Sequence, residues 1–208
     1  MILFKIIFLF GEALWTLLPG PVPRKKRKEH LVVNQKRKIT GFIENQAELT
    51  DMKYGSLFKS SVSYSGCGAI AVYNAFHKLG IRKSFPEVLY AFEELGSALR
   101  GALGVSPIAI FFYMKKHCPG KKVNFRLNAN VTPDLAVATV FNDKYNLFKA
   151  LHTVCIEKTD KGYVIHNAYR RDSKGKYVAT TPYATLKEAI QHVTARPALL
   201  CMTTIEEQ

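Results

Sequence analysis

Apolar residues recur every three or four positions over three stretches in the first half of the chain, which is the spacing of amphipathic helices. The first stretch runs from Ser65 to Leu79, and Gly80 supplies a C-terminal stop. The second runs from Ser84 to Glu94, and the third covers Ile108 to Lys116. The first half of the chain is therefore predicted to be largely helical.

The second half changes to short apolar or alternating runs separated by turn residues, which is the pattern of β-strands. A last short helix is predicted from Thr185 to Val193, because Thr185 and Glu188 have capping-box spacing. Helices followed by antiparallel strands predict an α+β fold, with a helical N-terminal part packed on a C-terminal sheet. The predicted strands are Val123 to Leu127, Ala136 to Phe141, Leu151 to Lys158, Tyr163 to Tyr169 and Ala198 to Thr203.

Two of these strands are predicted to form a hairpin, because the turn residues Thr159 to Gly162 separate them. With that turn, opposite residue numbers add up to 321, so Val154 faces Asn167 and His152 lies diagonal to Asn167 on the same face. His166 then points to the other face. A β-bulge would exchange His166 and Asn167, so both assignments stay open.

Residues Ile2 to Leu18 are almost continuously apolar and are interrupted only by Lys5 and Glu12, which share one helical face. Seventeen residues is short for a bilayer span, so a helix in the membrane interface or a marginal span is favoured. The basic block Arg24 to Lys28 follows, and such blocks bind anionic lipid on the cytoplasmic side. Two alternatives are a helix packed on the domain and a cleaved signal of an exported protein.

The same features divide the chain into three parts. Residues 1-28 form a membrane-associating segment, residues 29-54 a lead-in, and residues 55-208 the main domain. Within the lead-in, Thr40 to Leu49 are a possible helix. The formal net charge of +14 predicts attraction to anionic surfaces, but no nucleic-acid-binding motif accompanies it. We therefore expect an anionic membrane surface as a partner and no specific recognition of nucleic acid.

The chain has four cysteines, and their spacing fits neither a zinc site nor a disulfide framework. No metal or other cofactor is predicted. The spacing suits a reduced compartment in which three cysteines are small core residues and one is chemical. The four are Cys67, Cys118, Cys155 and Cys201.

Cys67 lies between Gly66 and Gly68 at the start of the first predicted helix. Free N–H groups and the positive end of the helix dipole stabilise a thiolate there, and the flanking glycines permit a substrate carbonyl to approach. The N–H group of Gly68 is a candidate oxyanion donor. The alternative is a small buried residue at a glycine-lined helix start.

His152 opens the first strand of the hairpin, and Asn167 follows fifteen residues later. A nucleophilic thiol needs an imidazole as its proton acceptor, and the imidazole needs a polar group that fixes its tautomer. His152 and Asn167 are the candidates for these roles, with His166 as the alternative third residue. The stretch Gly101 to Gly104 is either an ordinary connecting loop or the edge of a cleft.

The sequence resembles the papain-like superfamily, in particular the branch of the bacteriocin-processing double-glycine peptidases. The resemblance rests on Ser65 to Ala71 (SGCGAIA), His152 to Ile156 (HTVCI) and Gly162 to Asn167 (GYVIHN), in that order. It implies Cys67 as nucleophile, His152 as general base and Asn167 as the residue that orients the base.

One family element is missing. Where the family carries a glutamine six residues before the nucleophile as a side-chain oxyanion donor, this chain has Ser61. A serine hydroxyl can donate a hydrogen bond, but loss of a good oxyanion donor costs about 100-fold or more in turnover. Ser61 is the candidate for this role.

The resemblance implies a thiol hydrolase that cleaves a peptide or amide bond through an acyl-enzyme on Cys67. The departure at Ser61 favours a second hypothesis, a catalytically impaired papain-like module that binds a peptide without cleaving it. Acyl or peptidyl transfer by the same thiol and a purely structural role complete the alternatives.

Overall fold

A computed structural model describes residues 2–18, 20–57, 61–141, 151–193 and 199–206. Within these ranges the chain has seven α-helices and one five-stranded antiparallel sheet, which confirms the α+β class that the sequence predicts. The helices are α1 Ile2–Leu17, α2 Arg24–Asn34, α3 Val62–Ser65, α4 Cys67–Lys78, α5 Phe85–Leu95, α6 Pro107–His117 and α7 Leu186–Val193. The strands are β1 Lys122–Arg126, β2 Leu135–Phe141, β3 Leu151–Thr159, β4 Gly162–His166 and β5 Leu199–Glu206.

The strands follow the spatial order β1-β5-β2-β3-β4, so the last strand of the chain lies between β1 and β2. Alternate side chains of each strand face opposite sides of the sheet. On one side, Val137 and Cys155 join a core that also contains residues of α4, α5 and α6. On the other side, Ala138 and Val154 pack with α7. The sheet is thus covered on both faces.

The hairpin of β3 and β4 has the predicted register. Thr159 pairs with Gly162, and Cys155 pairs with His166. Gly162 has a φ of 122°, and a Cβ atom there would lie 2.2 Å from the carbonyl oxygen of Tyr183, so only glycine fits. Strand β4 ends at His166, earlier than predicted, because Asn167 has a φ of 62° and leaves the extended conformation.

The helices predicted from periodicity are present within one or two residues of their expected ends, which is the usual uncertainty of helix boundaries. The capping box at α7 is formed, with the N–H of Thr185 donating to Glu188 at 3.2 Å and the N–H of Glu188 donating to the Thr185 hydroxyl. The predicted start of the last strand at Ala198 lies outside the described residues.

The basic block forms the start of an unpredicted helix, α2, which packs on α5. Arg27 pairs with Glu94 at 2.7 Å, and His30 Nδ1 lies 2.6 Å from Glu93 Oε1. The prediction of a possible helix from Thr40 to Leu49 is wrong, because the only helical residues in that stretch are Gln46–Glu48, which form a short 3-10 turn.

The lead-in between α2 and α3 contributes side chains to the main core. Ile43, Met52 and Tyr54 are buried there. The side-chain amide of Asn74 on α4 accepts from the N–H of Ile43 and donates to its carbonyl, both at 2.9 Å. These bonds hold the lead-in against the helix that begins at Cys67.

Helix α1 packs along α6 and the 3-10 turn Ala98–Gly101. Its Leu9 is buried with Leu200 and Cys201 of β5. Among the described residues, none of the helices has the length and apolar character that a membrane span requires. The side chain of Glu12, predicted to share a face with Lys5, lies outside the described part of the molecule.

Candidate active site

Cys67 is the first residue of α4, and its thiol is free and partly exposed. The other three cysteines are also free thiols but are buried. The two glycines beside Cys67 lie where a larger residue would clash with neighbouring side chains. A Cβ at Gly66 would lie 2.5 Å from Val62 Cγ1, and a Cβ at Gly68 would lie 2.8 Å from Val105 Cβ. These glycines therefore let the helix start pack closely against its neighbours.

The thiol of Cys67 forms a hydrogen bond with the imidazole of His152 at the start of β3. Burial opposes ionisation of the thiol, but the His152 imidazole and the N–H groups of Thr153 and Gly68 outweigh burial and lower the pKa of Cys67. Burial likewise opposes the charge on His152, but the hydrogen bond and charge of Cys67 raise the pKa of His152. The two shifts favour a thiolate–imidazolium pair.

The orientation of His152 is fixed by the backbone of Asn167. His152 Nε2 lies 3.1 Å from the Asn167 carbonyl oxygen. A carbonyl oxygen only accepts hydrogen bonds, so Nε2 donates and the other ring nitrogen remains for the sulfur. Asn167 thus contacts His152 through its main chain, whereas the sequence pattern placed the Asn167 side chain on the His152 face of the hairpin as the orienting group.

Asn167 is fully buried and held by two hydrogen bonds to the lead-in. Its φ of 62° turns the chain at the end of β4. Its side-chain oxygen accepts from the N–H of Gln46 at 3.0 Å, and its own N–H donates to Glu44 Oε2 at 3.0 Å. Non-glycine residues in the left-handed region persist where surrounding contacts hold them. The lead-in therefore fixes the carbonyl that orients His152.

His166, the alternative third residue, lies opposite Cys155 and has different partners. Its Nδ1 lies 2.5 Å from Glu44 Oε1, and its Nε2 lies 3.7 Å from Glu157 Oε2. The ring stacks on Phe42 with centroids 3.9 Å apart. Burial opposes the charge on His166, but both carboxylates outweigh burial and raise its pKa. Glu44 therefore binds His166 with one oxygen and Asn167 with the other.

The Tyr169 ring stacks on the His152 ring, with ring centroids 5.7 Å apart. Burial and the nearby Cys67 raise the pKa of Tyr169 to about 12, so its hydroxyl stays protonated at neutral pH. Sequence reasoning missed both Tyr169 and Glu44. The only signal in the sequence was the position of Tyr169 two residues after Asn167, at the end of the predicted strand.

A cavity of about 390 Å³ adjoins Cys67. Helix α1 forms one wall, and the loop that follows Gly101 forms another, so this loop does edge a cleft. The lining is mostly apolar, which suits an uncharged substrate group. The lining residues are Phe8, Gly11, Trp15, Tyr64, Ser65, Cys67, Ala102, Leu103, Gly104 and Leu151.

Each of the two predicted oxyanion donors has a hydrogen-bond partner within the protein. The N–H of Gly68 is directed at the sulfur of Cys67. The hydroxyl of Ser61 lies 3.0 Å from that of Ser63. By contrast, the buried Ser65 hydroxyl has no hydrogen-bond partner among the described residues, and Ser65 lines the cavity beside Cys67. Ser65 is thus a further candidate donor that the sequence reasoning did not identify.

A larger open depression of about 830 Å³ lies between residues 37–49 and 171–179, and its lining contains neither cysteine nor histidine. In the described part of the chain, no group of three or more His, Cys, Asp or Glu side chains is arranged to hold a metal ion. Cys67 lines the smaller cavity, and Leu151, the residue before His152, lines it as well.

Comparisons of the chain with protein-family models, with curated proteins and with solved structures found no match.

Proposed function

We propose that the protein is a papain-like thiol hydrolase that cleaves a peptide or amide bond through an acyl-enzyme on Cys67. The observation that carries this proposal is the hydrogen-bonded Cys67–His152 pair, whose pKa shifts favour thiolate and imidazolium. A thiolate is the nucleophilic form of cysteine, and an adjacent imidazole is the usual means of activating it. The apolar cavity beside the thiol provides space for a substrate side chain.

In the first half of the proposed reaction, the thiolate of Cys67 attacks the carbonyl carbon and forms a C–S bond. The carbonyl oxygen gains the negative charge, and hydrogen-bond donors near the sulfur stabilise it. His152 then donates its proton to the leaving amine as the C–N bond breaks. The products of this half are a free amine and a thioester on Cys67.

In the second half, neutral His152 accepts a proton from water, and the resulting hydroxide attacks the thioester carbonyl. The C–S bond breaks, the carboxylic acid leaves, and the thiolate–imidazolium pair is restored. The Asn167 carbonyl, at 3.1 Å from His152 Nε2, keeps the ring in the orientation that both halves need.

The arrangement of elements also supports a papain-like assignment. Helix α4, which carries the nucleophile at its first residue, packs against β3 and β2 of an antiparallel sheet. His152 starts β3, and Asn167 follows β4 in the adjacent position. Cysteine, histidine and asparagine occur in the order that the family uses.

The proposal is tested by incubating the protein with a mixture of unmodified peptides and analysing the products by mass spectrometry. We expect cleavage by the wild type and by Cys118→Ala, and none by Cys67→Ala. After rapid acid quenching, Cys67 should carry a thioester whose added mass is that of the substrate minus the leaving amine. Equal cleavage by wild type and Cys67→Ala would contradict the proposal.

A second candidate function is peptide binding without cleavage, and the residue at the family's oxyanion position favours it. Ser61 stands there instead of a glutamine, and its hydroxyl shares a hydrogen bond of 3.0 Å with that of Ser63. This candidate predicts saturable peptide binding by wild type and Cys67→Ala alike, with intact peptide recovered afterwards. Cleavage that depends on Cys67 would exclude it.

A further inference from the structure

Helix α1 presents an almost entirely apolar surface to solvent. Ile7 and Phe10, one turn apart, are 61% and 65% exposed. An exposed apolar surface of this extent is uncommon on a protein that is surrounded only by water. The large apolar side chains exposed along the helix and at its end are Ile2, Leu3, Phe4, Ile6, Ile7, Phe10, Leu14, Trp15, Leu17 and Leu18.

The one described ionisable side chain of α1 points away from that surface. Lys5 is buried, and its Nζ donates to the Leu127 carbonyl at 2.7 Å. Leu9, one turn further along, is buried against β5. The helix therefore uses a narrow face with a lysine to bind the domain and turns its apolar face outward. A helix that served only as a core element would show the reverse orientation.

The chain that follows α1 is strongly basic. Exposed Arg24, Lys25 and Lys28 lie on α2, which begins six residues after Leu18. Six residues of chain reach at most about 20 Å, so the basic groups lie close to the end of α1. A formal net charge of +14 opposes the close approach of a second copy and favours an anionic surface.

We propose that the exposed face of α1 docks on an anionic lipid bilayer, lying in the interface, while the basic residues of α2 bind the headgroups. An apolar helical face with adjacent lysine and arginine is the usual composition of interfacial helices. This docking does not depend on the proposed hydrolase activity. Since Trp15 belongs both to the exposed face and to the lining of the Cys67 cavity, docking would place the mouth of that cavity at the membrane surface.

Trp15 is the only tryptophan of the chain, so its fluorescence reports on α1 directly. The full chain is titrated with vesicles of phosphatidylcholine alone and of phosphatidylcholine mixed with phosphatidylglycerol. We expect a blue shift of the emission and co-sedimentation with the mixed vesicles. Binding should be at least about tenfold weaker to phosphatidylcholine alone and weaker at high salt. Equal binding to both vesicle types, or no binding, would overturn the proposal.

Two sets of variants separate the apolar and the basic contributions. Ile7→Asp/Phe10→Asp should weaken vesicle binding at least about tenfold, because each substitution removes an apolar side chain that would be buried in the lipid. The control Leu95→Asp/Phe112→Asp, with exposures of 66% and 62%, makes the same charge change elsewhere and should bind as wild type. Lys25→Glu/Lys28→Glu should remove the preference for phosphatidylglycerol. A blue shift without vesicles that grows with protein concentration, together with a dimer in sedimentation, would show instead that a second copy covers α1.

Discussion

Two histidines of the β3–β4 hairpin each lie near a cysteine, and the surroundings of the two pairs differ. The thiol of Cys67 forms a hydrogen bond with His152 near the start of β3. Cys155, further along β3, lies directly opposite His166 of β4. Burial and the carboxylates Glu157 and Glu44 raise the pKa of Cys155 well above its ordinary value. For Cys67 the direction is reversed, because the imidazole and two backbone N–H groups outweigh burial.

The difference shows that a nearby histidine does not by itself activate a thiol. Beside Cys155, the carboxylates Glu44 and Glu157 hold the charge of His166, and their own charge disfavours a thiolate. Beside His152, the second ring nitrogen meets a neutral carbonyl, so the thiolate is the favoured counter-charge. The arrangement around Cys155 is suited to stabilising the fold, and the arrangement around Cys67 is suited to nucleophilic chemistry.

The largest expected effect concerns the histidine. His152→Ala should slow alkylation of Cys67 at pH 6 by about 100-fold, because the thiol then loses the partner that lowers its pKa. The rate is measured by mass spectrometry of the labelled peptide. His117→Ala, which removes a histidine beside Cys118, is the control and should leave the Cys67 rate within about twofold. Equal rates in both variants would remove the distinction between the two cysteines.

The next effect separates turnover from thiol reactivity. Ser65→Ala should lower turnover of a cleaved substrate by about 100-fold if its hydroxyl stabilises the oxyanion. Alkylation of Cys67 should stay close to wild type, because Ser65 does not lower the pKa of the thiol. Ser61→Ala is the matched control, since the Ser61 hydroxyl is already bonded to Ser63. A larger loss in Ser61→Ala than in Ser65→Ala would reverse this assignment.

Glu44 connects the two histidines, and its replacement sharpens the comparison. Glu44→Gln should lower the free energy of unfolding by about 2 kcal/mol, because it weakens charged hydrogen bonds to His166 and to the N–H of Asn167. Glu157→Gln should cost about half as much, since Glu157 contacts His166 at 3.7 Å. Urea unfolding measures both. Only Glu44→Gln should also slow Cys67 alkylation, through the carbonyl that orients His152.

The smallest effect is a pH dependence. The raised pKa of His166 means that its stabilisation is complete below about pH 6.5 and is lost as pH rises through the folded-state value. His166 lowers the pKa of Glu157, against burial, so the Glu157 contribution is complete above about pH 4.3 and is lost in more acidic solution. The difference in the free energy of unfolding between wild type and Glu157→Gln should therefore be larger at pH 6 than at pH 9. A difference that grows toward pH 9 would contradict the ion pair.

Much of the fold could be predicted because local signals specify it. The spacing of apolar residues defines α4, and the turn Thr159 to Gly162 fixes the hairpin register, which places His152 and Asn167 near each other. Helix α2 gave no such signal. Its buried positions are Arg27, His30 and Asn34, so the periodicity of apolar residues does not show the face that packs.

The parts of the site that could not be predicted depend on distant or backbone contacts. Glu44 reaches His166 across 122 residues of sequence, and nothing local marks it. The contact of His152 with the carbonyl of Asn167 depends on a positive φ, which a sequence pattern does not specify for asparagine. That the Ser65 hydroxyl has no hydrogen-bond partner in the described part of the chain likewise becomes visible only when the surrounding hydrogen bonds are known.

The most direct measurement is the pH dependence of alkylation for all four cysteines of the folded wild type, followed peptide by peptide. The account predicts that Cys67 is labelled fast and keeps reacting down to about pH 6. Cys118, whose burial raises its pKa to about 11, and buried Cys155 should react slowly until the solution is strongly alkaline. A Cys67 that reacts no faster than Cys118 at every pH would contradict the thiolate–imidazolium pair and the hydrolase proposal with it.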